Sequence, residues 1–123
     1  MDLKRVQAIG ANAACMEWLL RNGSTFKLAH SDTLFKDFNK LPPSRTNMRI
    51  TEILSVESSL MDHGFDHLKG LEHLRKLQIS SNPFITNQTL QKLAYVKDSL
   101  EELALIDCPN INDNGIALLT VLR

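Results

Sequence analysis

Two histidines and two aspartates fall close together in the stretch "DHGFDH" at residues 62–67. His63 and His67 stand four residues apart, the spacing that places two imidazoles on one face of a helix, and the carboxylates of Asp62 and Asp66 are beside them. This resembles half of a zinc site. Since neither a cysteine nor a third histidine follows at a ligand spacing, the pattern favours surface or helix-capping roles over metal ligation.

The two cysteines, Cys15 and Cys108, are far apart in the chain and form no CxxC pattern. This predicts reduced, structural thiols in a reducing compartment, and at Cys108 a thiol that packs in a turn of the fold. The sequence also has no Gly-x-Ser-x-Gly motif, no phosphate-cradling glycine loop and no convergent pair of acids. We therefore predict that the protein is not an enzyme.

The composition indicates one small globular domain. The chain has 123 residues, of which 43% are apolar, enough for a core. Because 14 Lys and Arg residues balance 14 Asp and Glu residues, no overall positive field is available to hold a nucleic acid, and we predict no such partner. No apolar run approaches about 18 residues, and the apolar region of a secretory signal is missing, so we expect no spanning helix and no readable targeting segment.

An internal repeat organises the second half of the chain. Residues 74–93 placed over residues 100–119, an offset of 26, bring apolar residues and a proline into the same positions. The pattern Leu-x-x-Leu-x-Leu, followed by a turn and a helix, is typical of leucine-rich repeats, and it predicts an α/β leucine-rich repeat solenoid of parallel strands plus helices. The matched pairs are Leu74/Leu100, Leu77/Leu103, Ile79/Leu105, Pro83/Pro109, Ile85/Ile111, Leu90/Ile116 and Leu93/Leu119.

Each repeat is predicted to bend from a strand into a helix. In the unit 74–99, Leu77 and Ile79 of the strand should point inward, "SSNP" should turn the chain, and a helix should begin at one of residues 86–88. In the next unit Asp113 is the expected N-cap, and the inward helix residues are Ile116, Leu119 and Leu122.

A weaker copy lies upstream, where "RITEILSVESSLMDHGFDHLKGL" supplies a strand and a helix in the same order. Its expected inward residues are Ile50, Ile53, Leu60, Phe65 and Leu68. We therefore predict three repeats, 49–73, 74–99 and 100–123, which is near the minimum for such an array. The last of them should leave an apolar edge uncovered.

The first 48 residues do not repeat and are predicted to form a helical N-terminal capping segment, 1–48, that hides the open end of the core. "NAACMEWLLRNG" reads as an amphipathic helix that Gly23 ends, with Trp18 packed on the first repeat. "STFKLAH" is a candidate short strand. "KDFNKLPPSR" is predicted to be a loop because consecutive prolines disfavour helix and central strand.

The outward strand residues are predicted to form one concave face that binds a protein partner. We expect Leu54 and Ile106 to be solvated there, and exposed aliphatic side chains beside charges are typical of a binding surface. Because single exposed apolar residues are common, a plain solvated face is the alternative. The face residues are Glu52, Leu54, Lys76, Gln78, Ser80, Glu102, Ala104 and Ile106.

Four segments together suggest a family: "EWLLRNG" at 17–23, "DFNKLP" at 37–42, "GFDHLKGL" at 64–71 and "CPNINDNGIALL" at 108–119. In this order and separation they resemble the mitochondrial ATP synthase coupling factor B (subunit s) family over essentially the whole chain. The resemblance implies a non-catalytic accessory protein on the matrix side of the mitochondrial inner membrane, peripheral to it and not spanning it. Such a protein supports coupled proton transport and ATP synthesis by contacting the membrane sector of ATP synthase.

The resemblance also has consequences for cofactors and thiols. Similar proteins hold Mg²⁺ through oxygens of the N-terminal segment, and Gly10 matches the glycine involved; the hydroxyl position is taken by Pro43, with Ser44 next to it. Mg²⁺ is thus a candidate ligand and not a required cofactor. Ser80 and Asn82 stand where factor B proteins carry a pair of cysteines, so dithiol chemistry is not expected at that strand.

Two other functions stay open. Relatives of the same family include an assembly factor for the distal membrane arm of respiratory complex I, whose partners would be complex I intermediates. From a different class, leucine-rich repeats also form the substrate-recognition module of ubiquitin ligases, which usually comes with an F-box and more repeats.

Overall fold

The chain folds into a four-stranded mixed sheet with short helices. The computed structural model describes residues 3–29, 34–36, 48–57 and 59–111. The sheet has the strand order β1-β2-β3-β4, so the predicted α/β class is confirmed. The predicted helix of residues 113–122 lies outside the described residues. In chain order the elements are α1 (Leu3–Ile9), α2 (Ala11–Arg21), β1 (Thr25–Leu28), β2 (Ile50–Val56), a first 3-10 helix (Asp62–Leu68), β3 (Lys76–Ser80), α3 (Asn87–Lys92), a second 3-10 helix (Leu93–Val96) and β4 (Glu102–Ile106).

Strands β2, β3 and β4 are parallel and in the register that the repeat predicts. Leu77 pairs with Leu103 and Ile79 with Leu105 across β3 and β4. Leu77 and Ile79 are buried, whereas Leu103 and Leu105 are half-buried. Successive residues of a strand point to opposite sides of the sheet, so this register puts the predicted inward residues together on the core side.

Strand β1 shows that the N-terminal segment is more than a helical cap. It runs antiparallel to β2, with Phe26 opposite Ile53 and Lys27 opposite Glu52. Phe26 and Leu28 are buried in the core. Gly23, with φ of 79°, ends the preceding helix and lets the chain turn back beside β2. The segment therefore adds an edge strand to the sheet, a pairing that the sequence did not predict.

Helix α2 packs on the first 3-10 helix through one tryptophan. The Trp18 ring lies edge-on to Phe65, with centroids 5.4 Å apart, and stacks on His67 at 5.2 Å. Gly64 permits this approach, because a Cβ at that position would overlap the Trp18 indole. The prediction that Trp18 packs on residues 49–73 is confirmed.

Each parallel strand ends in the same backbone conformation. Glu57, Ser81 and Asp107 directly follow β2, β3 and β4 and have φ of 53°, 54° and 52°. The amide of Glu57 donates to the carbonyl of Ser80 at 3.0 Å, and the amide of Ser81 donates to the carbonyl of Ile106 at 2.8 Å. The turns after β2 and β3 are thus each hydrogen-bonded to the last residue of the next strand.

The second residue after β3 and after β4 contacts the preceding part of the chain. Asn82 is buried; its Oδ1 accepts from the amides of Phe84 and Ile85, and its Nδ2 donates to the carbonyl of Leu60 at 3.1 Å. Cys108 Sγ lies 3.7 Å from the carbonyl oxygen of Ile79, and burial raises the pKa of this thiol. These contacts satisfy polar groups that burial would otherwise destabilise.

Candidate protein-binding face of the sheet

One side of the sheet, here called the open face, contains all eight predicted partner-binding residues. Alternate residues of a strand share a side, and the register aligns them across the four strands in three rows. The opposite side carries the core. The open face consists of a charged row (Lys27, Glu52, Lys76, Glu102), a middle row (Thr25, Leu54, Gln78, Ala104) and an end row (Val56, Ser80, Ile106).

The charged row alternates in sign across the sheet. Arg75 Nη2 lies 3.2 Å from Glu52 Oε2, and Lys76 Nζ lies 3.7 Å from Glu102 Oε2. Among the described residues Lys27 forms no ion pair. Exposed pairs of this kind contribute at most about 1 kcal/mol each to the stability of the fold. The charged row is therefore expected to affect the choice of binding partner more than the stability of the protein.

The middle row borders a shallow depression of about 150 Å³. Leu54 was predicted to be solvated, but it is half-buried. It lies on an interior strand between β1 and β3, next to Leu34, and these neighbours cover part of its side chain. The depression is lined by Lys27, Leu34, Glu52, Ile53, Leu54, Lys76 and Gln78.

The end row forms what we call the notch, with Val56 and Ile106 as walls and Ser80 as the floor. Val56 is 51% exposed and Ile106 is 48% exposed, whereas Ser80 is only 8% exposed. The prediction that Ser80 is an open position is therefore wrong in part: it faces this side, but the larger side chains on both neighbouring strands cover it.

Sequence reasoning missed three residues of the open face, Thr25, Lys27 and Val56. Following the period of two to the end of "ITEILSV" would have identified Val56. Thr25 and Lys27 alternate with buried Phe26 in "TFKL", but their place on this face depends on β1 pairing with β2, which no local pattern indicates.

The cluster of histidines and aspartates at residues 62–67 contributes to the packing of the fold. Residues 62–68 form a 3-10 helix and not an α-helix, and with three residues per turn His63 and His67 do not share a face. Asp62 instead accepts hydrogen bonds from the amide of Thr86 at 3.1 Å and from its hydroxyl at 2.8 Å. Across the described ranges, no group of three His, Cys, Asp or Glu side chains is placed to hold a metal ion.

His67 occupies an unusual environment. Its ring stacks on Trp18, and its Nδ1 is buried with no hydrogen-bond partner among the residues that the structure describes. Desolvation lowers the pKa of His67, and the nearby positive charge of Arg21 lowers it further, while Asp66 acts in the opposite direction. The neutral ring is therefore the form that this packing accommodates.

Gly10, the predicted magnesium position, joins α1 to α2. Its φ of 90° and ψ of 160° are open to glycine and strained for other residues. The Gly10 carbonyl accepts from the amide of Ala14 at 3.1 Å, within the hydrogen bonding of α2. Ser44, the hydroxyl residue next to the expected ligand position, lies outside the described residues.

A membrane-spanning segment is not found among the helices that the structure describes. The longest of them, α2, has 11 residues. About 20 are needed to cross the hydrocarbon core.

Comparison with known proteins supports the family resemblance. No protein-family model matches the chain. The chain is 36% identical to the protein named ATP synthase subunit s, mitochondrial, of Rattus norvegicus, over 97% of this chain and 62% of the rat protein. It is 33% identical to the Homo sapiens protein of the same name and 31% identical to that of Bos taurus, in both cases over 100% of this chain and 64% of the relative. The chain thus spans less than two thirds of the length of these relatives.

Proposed function

We propose that this chain, whose homologues over its whole length are mitochondrial ATP synthase subunit s (coupling factor B) proteins, is a non-catalytic accessory subunit of mitochondrial ATP synthase. It supports coupled proton transport and ATP synthesis through protein contacts with the membrane sector, from the matrix side of the inner membrane. The observation that carries this proposal is the identity of 31–36% to these proteins along essentially the entire chain.

The proposal includes a fold assignment: residues 49–73, 74–99 and 100–123 are three leucine-rich repeats behind the capping segment 1–48. Three features of the described residues support it. The strands are parallel and in register, a left-handed residue follows each of them, and Asn82 and Cys108 occupy equivalent positions after β3 and β4. Leucine-rich repeats characteristically carry Asn or Cys at this position.

The open face is the proposed partner-binding surface. The open face carries the exposed aliphatic side chains of the notch at one end and a row of charges at the other, a combination that suits recognition of another protein. The opposite side of the sheet is committed to the core by Ile53, Leu77 and Ile79, each at most 2% exposed. That side of the sheet is therefore not available to a partner, and within the sheet the open face is the proposed contact surface.

An affinity pull-down tests this function. The tagged chain is expressed in mitochondria depleted of their own subunit s, which are then solubilised in mild detergent. We expect ATP synthase subunits in the eluate, and Ile106→Asp should abolish their recovery, because a charge in the notch must be desolvated on binding. Leu3→Asp, a matched change at a 63% exposed leucine of α1, should not. Recovery of complex I intermediates or cullin adaptors in their place would replace the proposal.

A further inference from the structure

The charged row has two cations and two carboxylates, but one of its cations, Lys27, has no ion-pair partner among the described residues. Glu52 is paired with Arg75, and Glu102 with Lys76, so both carboxylates of the charged row have a cation. Lys27 is half-buried at the depression and pairs with no carboxylate of the described residues. A partly buried charge interacts more strongly than a fully solvated one. A partner side chain that complements this end of the row is therefore a carboxylate.

The notch selects a different kind of side chain. Val56 and Ile106 rise on either side of Ser80, two strand spacings apart, about 10 Å. The small, buried floor leaves room between two half-exposed branched side chains. A leucine, isoleucine, methionine or phenylalanine placed there would bury apolar surface on both walls.

The backbone of the sheet decides which secondary structure fits. The peptide groups of interior strands β2 and β3 are hydrogen-bonded within the sheet plane, so they offer nothing to an extended segment lying on the face. An extended segment would leave its own amides and carbonyls unpaired there. An α-helix satisfies its backbone internally, and its diameter of about 10–12 Å fits a sheet about 14 Å wide.

The separation of the two anchors gives the spacing in the partner. Lys27 and Ser80 are two strands apart, about 10 Å, and the charged and end rows are four residues apart, about 13 Å. The diagonal is about 16 Å, which corresponds to about 11 residues, or three turns, of a helix. Residues separated by 11 positions lie on the same side of a helix.

We propose that the open face binds an amphipathic α-helix of an ATP synthase subunit, which sets a carboxylate against Lys27 and, about three turns away, an apolar side chain in the notch. This rests on the proposed function and names the chemistry of its partner. The helix crosses the sheet diagonally from β1 at the charged row to β3 and β4 at the end row. The area between the anchors is filled by the middle row.

Zero-length cross-linking tests the carboxylate contact. Carbodiimide joins an amine to a carboxylate only when the two are in direct contact, so treatment of the complex of the full chain with ATP synthase should link Lys27 to an Asp or Glu of the partner. Peptide mass spectrometry should place that residue in a helix with an apolar residue about 11 positions away. Lys27→Gln should remove this link and weaken binding about threefold to tenfold.

Matched variants separate the possible outcomes. Val56→Asp should weaken binding at least tenfold or so, whereas Lys69→Gln, at an exposed lysine following the first 3-10 helix, should leave it unchanged. Intact binding of ATP synthase with no Lys27 link and no effect of Val56→Asp would overturn the helix proposal and leave the function standing. A link from Lys27 to an extended segment or to a second copy of this chain would also overturn it. Failure to bind ATP synthase at all would count against the proposed function itself.

Discussion

Residues 50–73 and 74–99 are two versions of one design that differ in their second half. Both begin with a parallel strand, and their later inward residues correspond: Leu60 to Ile85, Phe65 to Leu90 and Leu68 to Leu93, all at most 2% exposed. The later unit continues with helix α3 and a short 3-10 helix, whereas the earlier unit has only the 3-10 helix Asp62–Leu68. The corresponding side chains are buried to the same extent in both units, but the helices that carry them differ.

Two features account for the difference, a local helix cap and a contact with helix α2. Helix α3 is capped by Thr86, whose hydroxyl accepts from the amide of Gln88 while the Thr89 side chain accepts from the Thr86 amide. The 3-10 helix begins after Met61, which has no side chain able to cap it. It is also covered by Trp18, whose ring leaves no room for a side chain at residue 64. The comparison teaches that the sheet fixes the strand of each unit, while capping and the neighbouring layer fix its helix.

The largest effect is expected from removing the aromatic contact of the earlier unit. Phe65→Ala should lower the free energy of unfolding by about 3–5 kcal/mol, because it leaves a cavity beside Trp18. Tyr95→Ala, at a 45% exposed aromatic residue of the later unit, should cost far less, within about 1 kcal/mol. Urea denaturation of both variants provides the measurement. Equal losses would show that the aromatic contact does not distinguish the two units.

Gly64→Ala should be the next most damaging change. A methyl group there overlaps the Trp18 indole, and such overpacking costs about 1–3 kcal/mol. In a Trp18→Leu background the added cost should shrink, because the clashing ring is gone. A double-mutant cycle by urea denaturation measures this coupling. Strictly additive losses would mean that Gly64 is required for a reason other than the close approach.

A smaller loss of stability is expected when the N-cap of α3, Thr86, is replaced. Thr86→Val keeps the shape of the side chain but removes the oxygen that caps α3 and the hydroxyl that donates to Asp62, so we expect a loss of about 0.5–2 kcal/mol. Thr51→Val, where the hydroxyl makes only a 3.4 Å bond to the carbonyl of Lys27, is the control. Thermal unfolding of the two variants is the measurement, and Thr86→Val should have the lower melting temperature. Similar melting temperatures would contradict a capping role for Thr86.

The smallest effect concerns pH and the His67 stack. Because the folded state lowers the pKa of His67, the unfolded chain binds its proton more readily, and stability falls as the pH falls through the ordinary histidine pKa of about 6.5. Above that range this contribution is fully present. His67→Gln should reduce the loss of stability between pH 7.5 and pH 5.5 in urea titrations. His63→Gln, at an exposed position, controls for the removal of a histidine, and an unchanged slope in His67→Gln would contradict the assignment.

The features that follow from the internal repeat were predicted from the sequence. The offset of 26 identified the pairing of Leu77 with Leu103, and the same repeat pattern limited the start of α3 to residues 86–88, where the helix begins at Asn87 after its N-cap Thr86. Both follow from rules that act over a few residues or repeat along the chain.

The remaining features depend on contacts between distant segments. The antiparallel pairing of β1, the 3-10 form of residues 62–68 and the burial of Ser80 each result from neighbours that are 22 or more residues away, or from a bulky ring on another helix. Seven of the eight predicted binding residues have the degree of exposure that a surface position allows; Ser80 does not, because it is smaller than Val56 and Ile106, which cover it from the neighbouring strands. Lys27 was not predicted to lie on this face because the pairing of β1 with β2 was not predicted.

The left-handed residues Glu57, Ser81 and Asp107 have a consequence for how such chains evolve. At Glu57 and Ser81 the turn offers one amide forward and uses one carbonyl of the strand that follows, so donors and acceptors stay in balance when a whole unit is duplicated. An array of such units can lengthen by gene duplication without any change to the turns that are already present. Losing a single residue from one turn, by contrast, would put every later strand out of step with its neighbour.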